Sequence, residues 1–163
     1  MKKKILYVVN VDWFFTSHRL PLAIKAIQQG YEVHLATHIT QETTQLKQAG
    51  IIIHPLSFSR SSLNIFGLIS FYLQLKKIFI SLQPDILHLV TIKPVLVGCI
   101  VARVTKVPAV VAAISGLGFL FINPSSSIDD NILDKLLTPI PIFGPNDVEG
   151  VPFPGSILSK VKP

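Results

Sequence analysis

Cysteine is almost missing from this sequence: Cys99 stands alone among 163 residues. An intramolecular disulfide is excluded, and so is a cysteine-based zinc site. Charge is scarce too. Asp, Glu, Lys and Arg make up 15% of the chain, where about 25% is usual, while 49% is apolar. That balance excludes disorder over most of the chain. It points to many fully buried strands or to contact with lipid. The length suits one domain with a real core, or one domain plus a tail. Carboxylates are rarest in residues 1–122, which hold 4 of them against 12 Lys and Arg, a net of +8. Residues 123–163 hold 3 Lys, 5 Asp and Glu, and 7 of the 12 prolines. A boundary is expected there. Residues 1–122 form one domain, and 123–163 form a Pro-rich, poorly ordered tail with no second domain and at most a short helix over 128–137.

Long uninterrupted apolar runs are also lacking. The basic start and the apolar run at 5–9 have the look of a signal peptide, but Asn10 and Asp12 interrupt the run and no small-residue cleavage site follows. Residues 61–75 are uncharged but too few to span a bilayer, and Pro108, Gly116, Gly118 and Pro124 break the stretch 107–128. The expectation is a cytoplasmic protein, soluble or peripheral.

What is present is an alternation. Strand-length apolar runs at 4–9, 32–37, 51–54, 86–89 and 109–113 are separated by helical patterns. The first helix is expected from His18 to Gln29, with Pro21 in its first turn. A second runs from a cap at Thr40 to Gly50, a third over 63–82 and a fourth over 94–105. Nearly all-apolar strands between helices mean a parallel sheet covered on both faces. The fold class is therefore α/β: a doubly wound, mainly parallel, Rossmann-like sheet of about five strands with helices on both faces. Ligands of such sheets bind beyond the carboxyl ends of the strands. That rule selects residues 10–18, 37–40, 55–62, 90–94 and 114–119.

Those segments lack several signatures. No G-x-G-x-x-G follows the first strand, and no phosphate-binding G-x-x-x-x-G-K-[ST] or nucleophile-bearing G-x-S-x-G occurs, which argues against dinucleotide, P-loop and α/β-hydrolase chemistry. Asp12 is the sole carboxylate within them, so a paired-carboxylate mechanism has no second member. His34 and His54 read as structural. His18 and His88 lie at the ligand edge and are the better candidates for proton transfer. Arg19 and Lys93 are plausible anchors for anionic groups.

Three stretches resemble a known family: Val9-Asn-Val-Asp-Trp-Phe-Phe-Thr-Ser-His-Arg-Leu-Pro-Leu-Ala23, His88-Leu-Val-Thr-Ile-Lys-Pro-Val-Leu96 and Val110-Val-Ala-Ala-Ile-Ser-Gly-Leu-Gly118. They resemble the amino-terminal domain of family 4 glycosyltransferases, two-domain enzymes of the GT-B type. The subgroup is the bacterial transferases of surface-polysaccharide and lipid-linked glycan assembly. The resemblance covers residues 3–122 and implies a single GT-B half that holds the acceptor. A nucleotide-sugar would be a co-substrate bound mainly by a second domain, with no cofactor and no metal. The implied candidate base is His18, His88 or Asp12. The implied acceptor contacts are Asn10, Trp13, Ser17, Arg19, Thr91, Lys93, Ser115, Gly116 and Gly118. Many relatives carry a histidine where Ser115–Gly118 stands here. Glu149-Gly-Val-Pro152 faintly echoes the donor domain's Glu-x7-Glu pattern, but Ile157 stands where its second Glu belongs.

The expected partners are a glycan or polyprenyl-linked acceptor, a separate donor-domain chain and an anionic membrane surface at the inner face of the cell membrane. No nucleic acid is expected. Three readings stay open: a retaining, metal-independent glycosyltransferase, a non-catalytic membrane-surface subunit that needs a donor-domain chain, and an inactive truncated product.

Overall fold

The computed structural model of the chain describes residues 2–57, 65–113 and 142–143. Strands and helices alternate along it. They are β1 (Lys4–Val11), α1 (Asp12–His18), α2 (Leu20–Gln28), β2 (Glu32–His38), α3 (Thr44–Gln48), β3 (Ile52–Pro55), α4 (Ile65–Leu82), β4 (Ile86–Val90), α5 (Ile92–Thr105), β5 (Ala109–Ala113) and β6 (Ile142–Phe143). Every strand pair is parallel, and the order across the sheet is β3-β2-β1-β4-β5-β6. The chain winds outward from β1 to β3, then crosses back and lays β4 on the other side of β1. This reversal is the topological switch point, where doubly wound sheets bind their ligands. Five of the strands match the expected sheet. The sixth is an addition of two residues from the Pro-rich tail. The other tail residues, including 128–137, lie outside the described residues.

β1 shows why its sequence is apolar without a break. Leu6 and Val8 point into one core with Phe71, Leu75 and Phe79 of α4 and Val95, Cys99 and Ala102 of α5. Ile5, Tyr7 and Val9 point into a second core with Phe15 of α1, Leu20 and Ala23 of α2 and Leu46 of α3. Each strand face meets a helical layer, so alternation of apolar and polar residues is lost. Gly98 lets α5 approach the sheet, because a Cβ there would lie 2.5 Å from a methyl of Leu89.

The first helix departs from expectation. Two helices replace the single one expected from His18. α1 begins at Asp12, and Arg19 (φ −124°, ψ −14°) separates it from α2, whose first turn holds Pro21. One continuous helix would ask Pro21 for an N–H it lacks. The second expected helix also starts late, at Thr44 rather than at a Thr40 cap. The backbone N–H and hydroxyl of Thr40 are committed to Asp12 instead. His34 and His54 form a chain with Glu32: His34 Nε2–H donates to Glu32 Oε1 at 2.7 Å, and His34 Nδ1 lies 3.0 Å from His54 Nε2.

Candidate functional site

Asp12 opens α1 at the end of β1, and its side chain is buried. Its Oδ1 accepts from the Trp13 N–H at 2.9 Å and the Thr40 hydroxyl at 2.5 Å. Its Oδ2 accepts from the N–H groups of Thr40 and Gln41, each at 2.8 Å. Burial pushes the pKa up, but the donors of Thr40, Gln41 and Trp13 outweigh it and hold the carboxyl below its ordinary value. Asp12 is thus a charged tether between the ends of β1 and β2. Four donors leave it poorly placed to take a proton from a ligand.

His88 lies in β4 directly beside Tyr7 of β1. The two rings stack with centroids 5.0 Å apart and planes 26° from parallel. The histidine is 7% exposed. Burial, and secondly the charge of Arg19, push its pKa down to about 3. The Tyr7 phenol is pushed up to about 12 by burial, with Arg19 acting against the shift. His88 is therefore a neutral imidazole at neutral pH, able to hydrogen-bond but weak as a base.

Arg19 sits at the break between α1 and α2 and is 9% exposed. Burial lowers its pKa, and Tyr7 acts in the opposite sense. A guanidinium stays charged even so. Asn10 marks a register shift between Val9 and Val11 in the pairing of β1 with β2. Such bulges recur beside active sites. Thr91 follows β4 directly and holds φ 74°, ψ 158°, a region that suits glycine and costs a β-branched residue about 1–3 kcal/mol. Two hydrogen bonds fix it there: its N–H donates to the Ala113 carbonyl at 3.1 Å, and its own carbonyl accepts from Val95 at 3.0 Å. Asn10 lies near the end of β1, and Thr91 follows β4, the strand paired with β1.

The remaining candidates lie along α1 and α5. His18 is exposed, stacks on Phe14 at 4.3 Å, and has Nδ1 3.2 Å from the Phe14 carbonyl. A carbonyl only accepts, so the proton of the neutral ring sits on Nδ1 and the lone pair on Nε2. Ser17 donates to the Trp13 carbonyl at 2.9 Å. Trp13 is exposed and meets Phe14 edge-on. Lys93 lies in the first turn of α5. Ser115, Gly116 and Gly118 lie outside the described residues.

The structure brings Asn10, Arg19, His88 and Thr91 to the β1/β4 reversal. It adds Tyr7 and Gln41, which the sequence left unmarked, and Thr40, which the sequence marked as a helix cap. Tyr7 carried one signal, a hydroxyl-bearing ring inside an aliphatic strand. Among the described residues, no group of three or more His, Cys, Asp or Glu could hold a metal ion.

The fold and this edge define a GT-B type half-domain, glycosyltransferase-like in architecture. Residues 4–140 match the glycosyl transferase 4-like family, and the chain belongs to it. No curated protein matches the chain. Among solved structures, the chain is similar to MurG of Acinetobacter baumannii, at 18% identity and a TM-score of 0.57, covering 94% of this chain and 43% of that one. A glycosyltransferase from Rickettsia africae gives 15% and 0.58, covering 88% and 42%. A UDP-N-acetylglucosamine 2-epimerase gives 17% and 0.57, covering 89% and 42%. These likenesses show the fold, which transferases and epimerases share. The chain spans about two-fifths of the length of these structures.

Proposed function

We propose that this domain is the acceptor-holding half of a glycosyltransferase that moves a sugar from a nucleotide-sugar to a glycan or polyprenyl-linked acceptor. One observation carries the reading. In a glycosyl transferase 4-like chain, the polar residues of the β1 and β4 motifs collect at the sheet's ligand edge. The same edge is poorly suited to a nucleotide. The turn after β1 holds bulky residues where a diphosphate needs glycine, and β2 ends on Thr37 and His38 with no carboxylate for a ribose. The donor is then held by a second domain or chain. Of the three candidate bases, His18 is the exposed one, with Nδ1 turned to the Phe14 carbonyl and Nε2 left for a ligand. Asp12 and His88 serve as tether and binding group.

Calorimetry of the purified chain tests this. A panel of nucleotide-sugars should give no tight binding, whereas a polyprenyl-linked sugar in detergent should bind saturably. Tight nucleotide-sugar binding without acceptor binding would contradict the assignment. Acceptor binding with no transfer, even after a donor-domain chain is added, would favour the non-catalytic subunit.

The acceptor's lipid sets a second expectation, peripheral attachment to the inner face of the membrane. No helix among the described residues is long and apolar enough to cross a bilayer. α4 instead carries an exposed apolar stripe. Phe66, Ile69, Leu73 and Ile80 are all exposed, Phe66 to 79%, while Phe71, Leu75 and Phe79 face the core. At 3.6 residues per turn the four exposed residues, with Lys76 and Lys77, fall within an arc of about 100°. An apolar stripe with two lysines suits an anionic bilayer, each lysine contributing about 1 kcal/mol near the surface. Co-sedimentation with phosphatidylglycerol vesicles should exceed that with phosphatidylcholine vesicles and weaken as salt rises. Equal, negligible sedimentation with both lipids at low salt would remove the membrane reading.

A further inference from the structure

The chain from Glu32 through His34 to His54 crosses the join of β2 and β3, beginning at the first residue of β2, the end opposite the ligand edge. His34 is 4% exposed. It pairs in register with Leu6 of β1, and His54 pairs with Ala36 of β2. Leu6 and Ala36 belong to the core under α4 and α5, and paired residues share a sheet face, so both imidazoles stand on that side. A carboxylate only accepts, so His34 Nε2 carries the hydrogen given to Glu32 Oε1 at 2.7 Å. The Nδ1 of the neutral ring is then bare and accepts from His54 Nε2–H at 3.0 Å. The ring centroids are 5.2 Å apart, close to the most that this N···N distance allows, so the two nitrogens meet head-on. The bond exists only while one of the facing nitrogens is bare. One added proton, on the far nitrogen of His54, keeps the bond and is balanced by Glu32. A second puts hydrogen on both facing nitrogens and sets two positive rings against each other beside one carboxylate.

β3 is an edge strand of four residues with a partner on one side only. Ile52 within it is 46% exposed, whereas Ile51 and Leu56 at its two ends are buried. His38 Nδ1–H donates to the Leu56 carbonyl at 3.1 Å, a bond that survives protonation because Nδ1 keeps its hydrogen. The other ionisable groups of the packed elements are Lys4 of β1, which stands beside Glu32 and gives Nζ to the Leu82 carbonyl, Asp85, which accepts from the Lys4 backbone N–H, and Tyr72, Lys76 and Lys77 of α4. The lysines add positive charge to this side of the sheet, which opposes a further proton.

We propose that Glu32, His34 and His54 form a proton-operated clasp that holds β3 on the sheet edge at neutral pH and lets Ile52–Pro55 open locally in acid. The buried ends at Ile51 and Leu56 confine the opening to the strand between them. Burial first, and then His34, hold the His54 pKa below its ordinary 6.5. The closed strand therefore refuses a proton that the open strand takes up, and opening grows by about tenfold per pH unit below about pH 6.5.

NMR of the full chain tests this. At pH 7 a nitrogen–nitrogen coupling across the hydrogen bond should join His34 Nδ1 to His54 Nε2. Amide exchange in β3, corrected for its intrinsic pH dependence, should report an opening that grows about tenfold between pH 6 and pH 5. His54→Gln should flatten that profile, because its amide can donate to a bare His34 Nδ1 or accept from a protonated one, while β4 keeps the acid sensitivity that His88 gives it. Glu32→Gln should start the opening at higher pH, since the first proton loses its counter-charge. Absence of the coupling at pH 7, β3 opening indifferent to pH, or a His54→Gln profile parallel to the parent's would overturn the clasp. If His54→Gln does not fold, the coupling and the parent's pH profile still decide.

Discussion

Lowering the pH from 7 to 5 should destabilise the chain by about 2 kcal/mol through His88 alone. In the folded state this imidazole is pushed down to about 3, first by burial and then by Arg19. In the unfolded chain it titrates at the ordinary value of 6.5. The folded value is the lower one, so below pH 6.5 the unfolded state takes up a proton that the folded state refuses. Stability therefore falls as pH drops from about 6.5 towards about 3, by about 1.4 kcal/mol per pH unit once the unfolded histidine is fully charged. His54, also lowered by burial and by His34, contributes in the same sense. Urea unfolding of the parent and of His88→Gln at pH 7, 6 and 5 separates the two. The variant should start less stable or equal at pH 7 and lose about 2 kcal/mol less by pH 5. Parallel pH profiles would show that His88 does not sit buried and neutral beside Arg19.

Asp12→Asn should cost about 3 kcal/mol. The carboxylate serves four donors with two oxygens. An amide offers one oxygen and turns an NH2 group towards either the Thr40 and Gln41 N–H groups or the Trp13 N–H. That NH2 would be buried with the Asp12 side chain and lack an acceptor, at a cost of about 1–3 kcal/mol. The acid sensitivity of this group has its own window. Its folded pKa lies below the ordinary value of 3.8, so its stabilisation is complete above about pH 4 and is lost as pH falls through the folded value. Thr40→Val, which removes one donor, should cost about 1 kcal/mol. Denaturant titrations measure both. A change below about 0.5 kcal/mol in Asp12→Asn, the size usual for an inconsequential surface substitution, would show that Asp12 does not tie β1 to the loop after β2.

The sheet was legible because burial on two faces leaves a plain trace. β1, β2, β4 and β5 read as apolar runs, and Gly30 and Gly50, at φ 89° and 83°, end the two helices that precede β2 and β3. α1 was not legible. Its apolar positions are few, and it is held by the Asp12 tether and by Phe15 against Tyr7, both of them contacts set by the assembled sheet. The same holds for Thr40. Its place beside the ligand edge was readable, but a threonine before a helical pattern suggests a cap, and only the position of Asp12 across the β1/β2 boundary redirects it. β6 left little signal, because two residues between prolines carry no period. At the site, residue identities came through in the motifs around 10–19 and 88–93, whereas their roles did not. Sequence cannot tell an exposed histidine from one whose pKa burial has driven down, and the choice between His18 and His88 turns on that difference. Nor does sequence show that Arg19 lies inward, since an arginine at a helix junction is usually solvated.

Hydrogen exchange read by mass spectrometry, with and without a short-chain polyprenyl-diphosphate sugar, tests the acceptor assignment most directly. Slowed exchange is expected in peptides covering residues 10–19 and 88–95, with little change in β3, and no such protection from nucleotide-sugars. Protection of those two segments by a nucleotide-sugar and not by the lipid-linked sugar would contradict it.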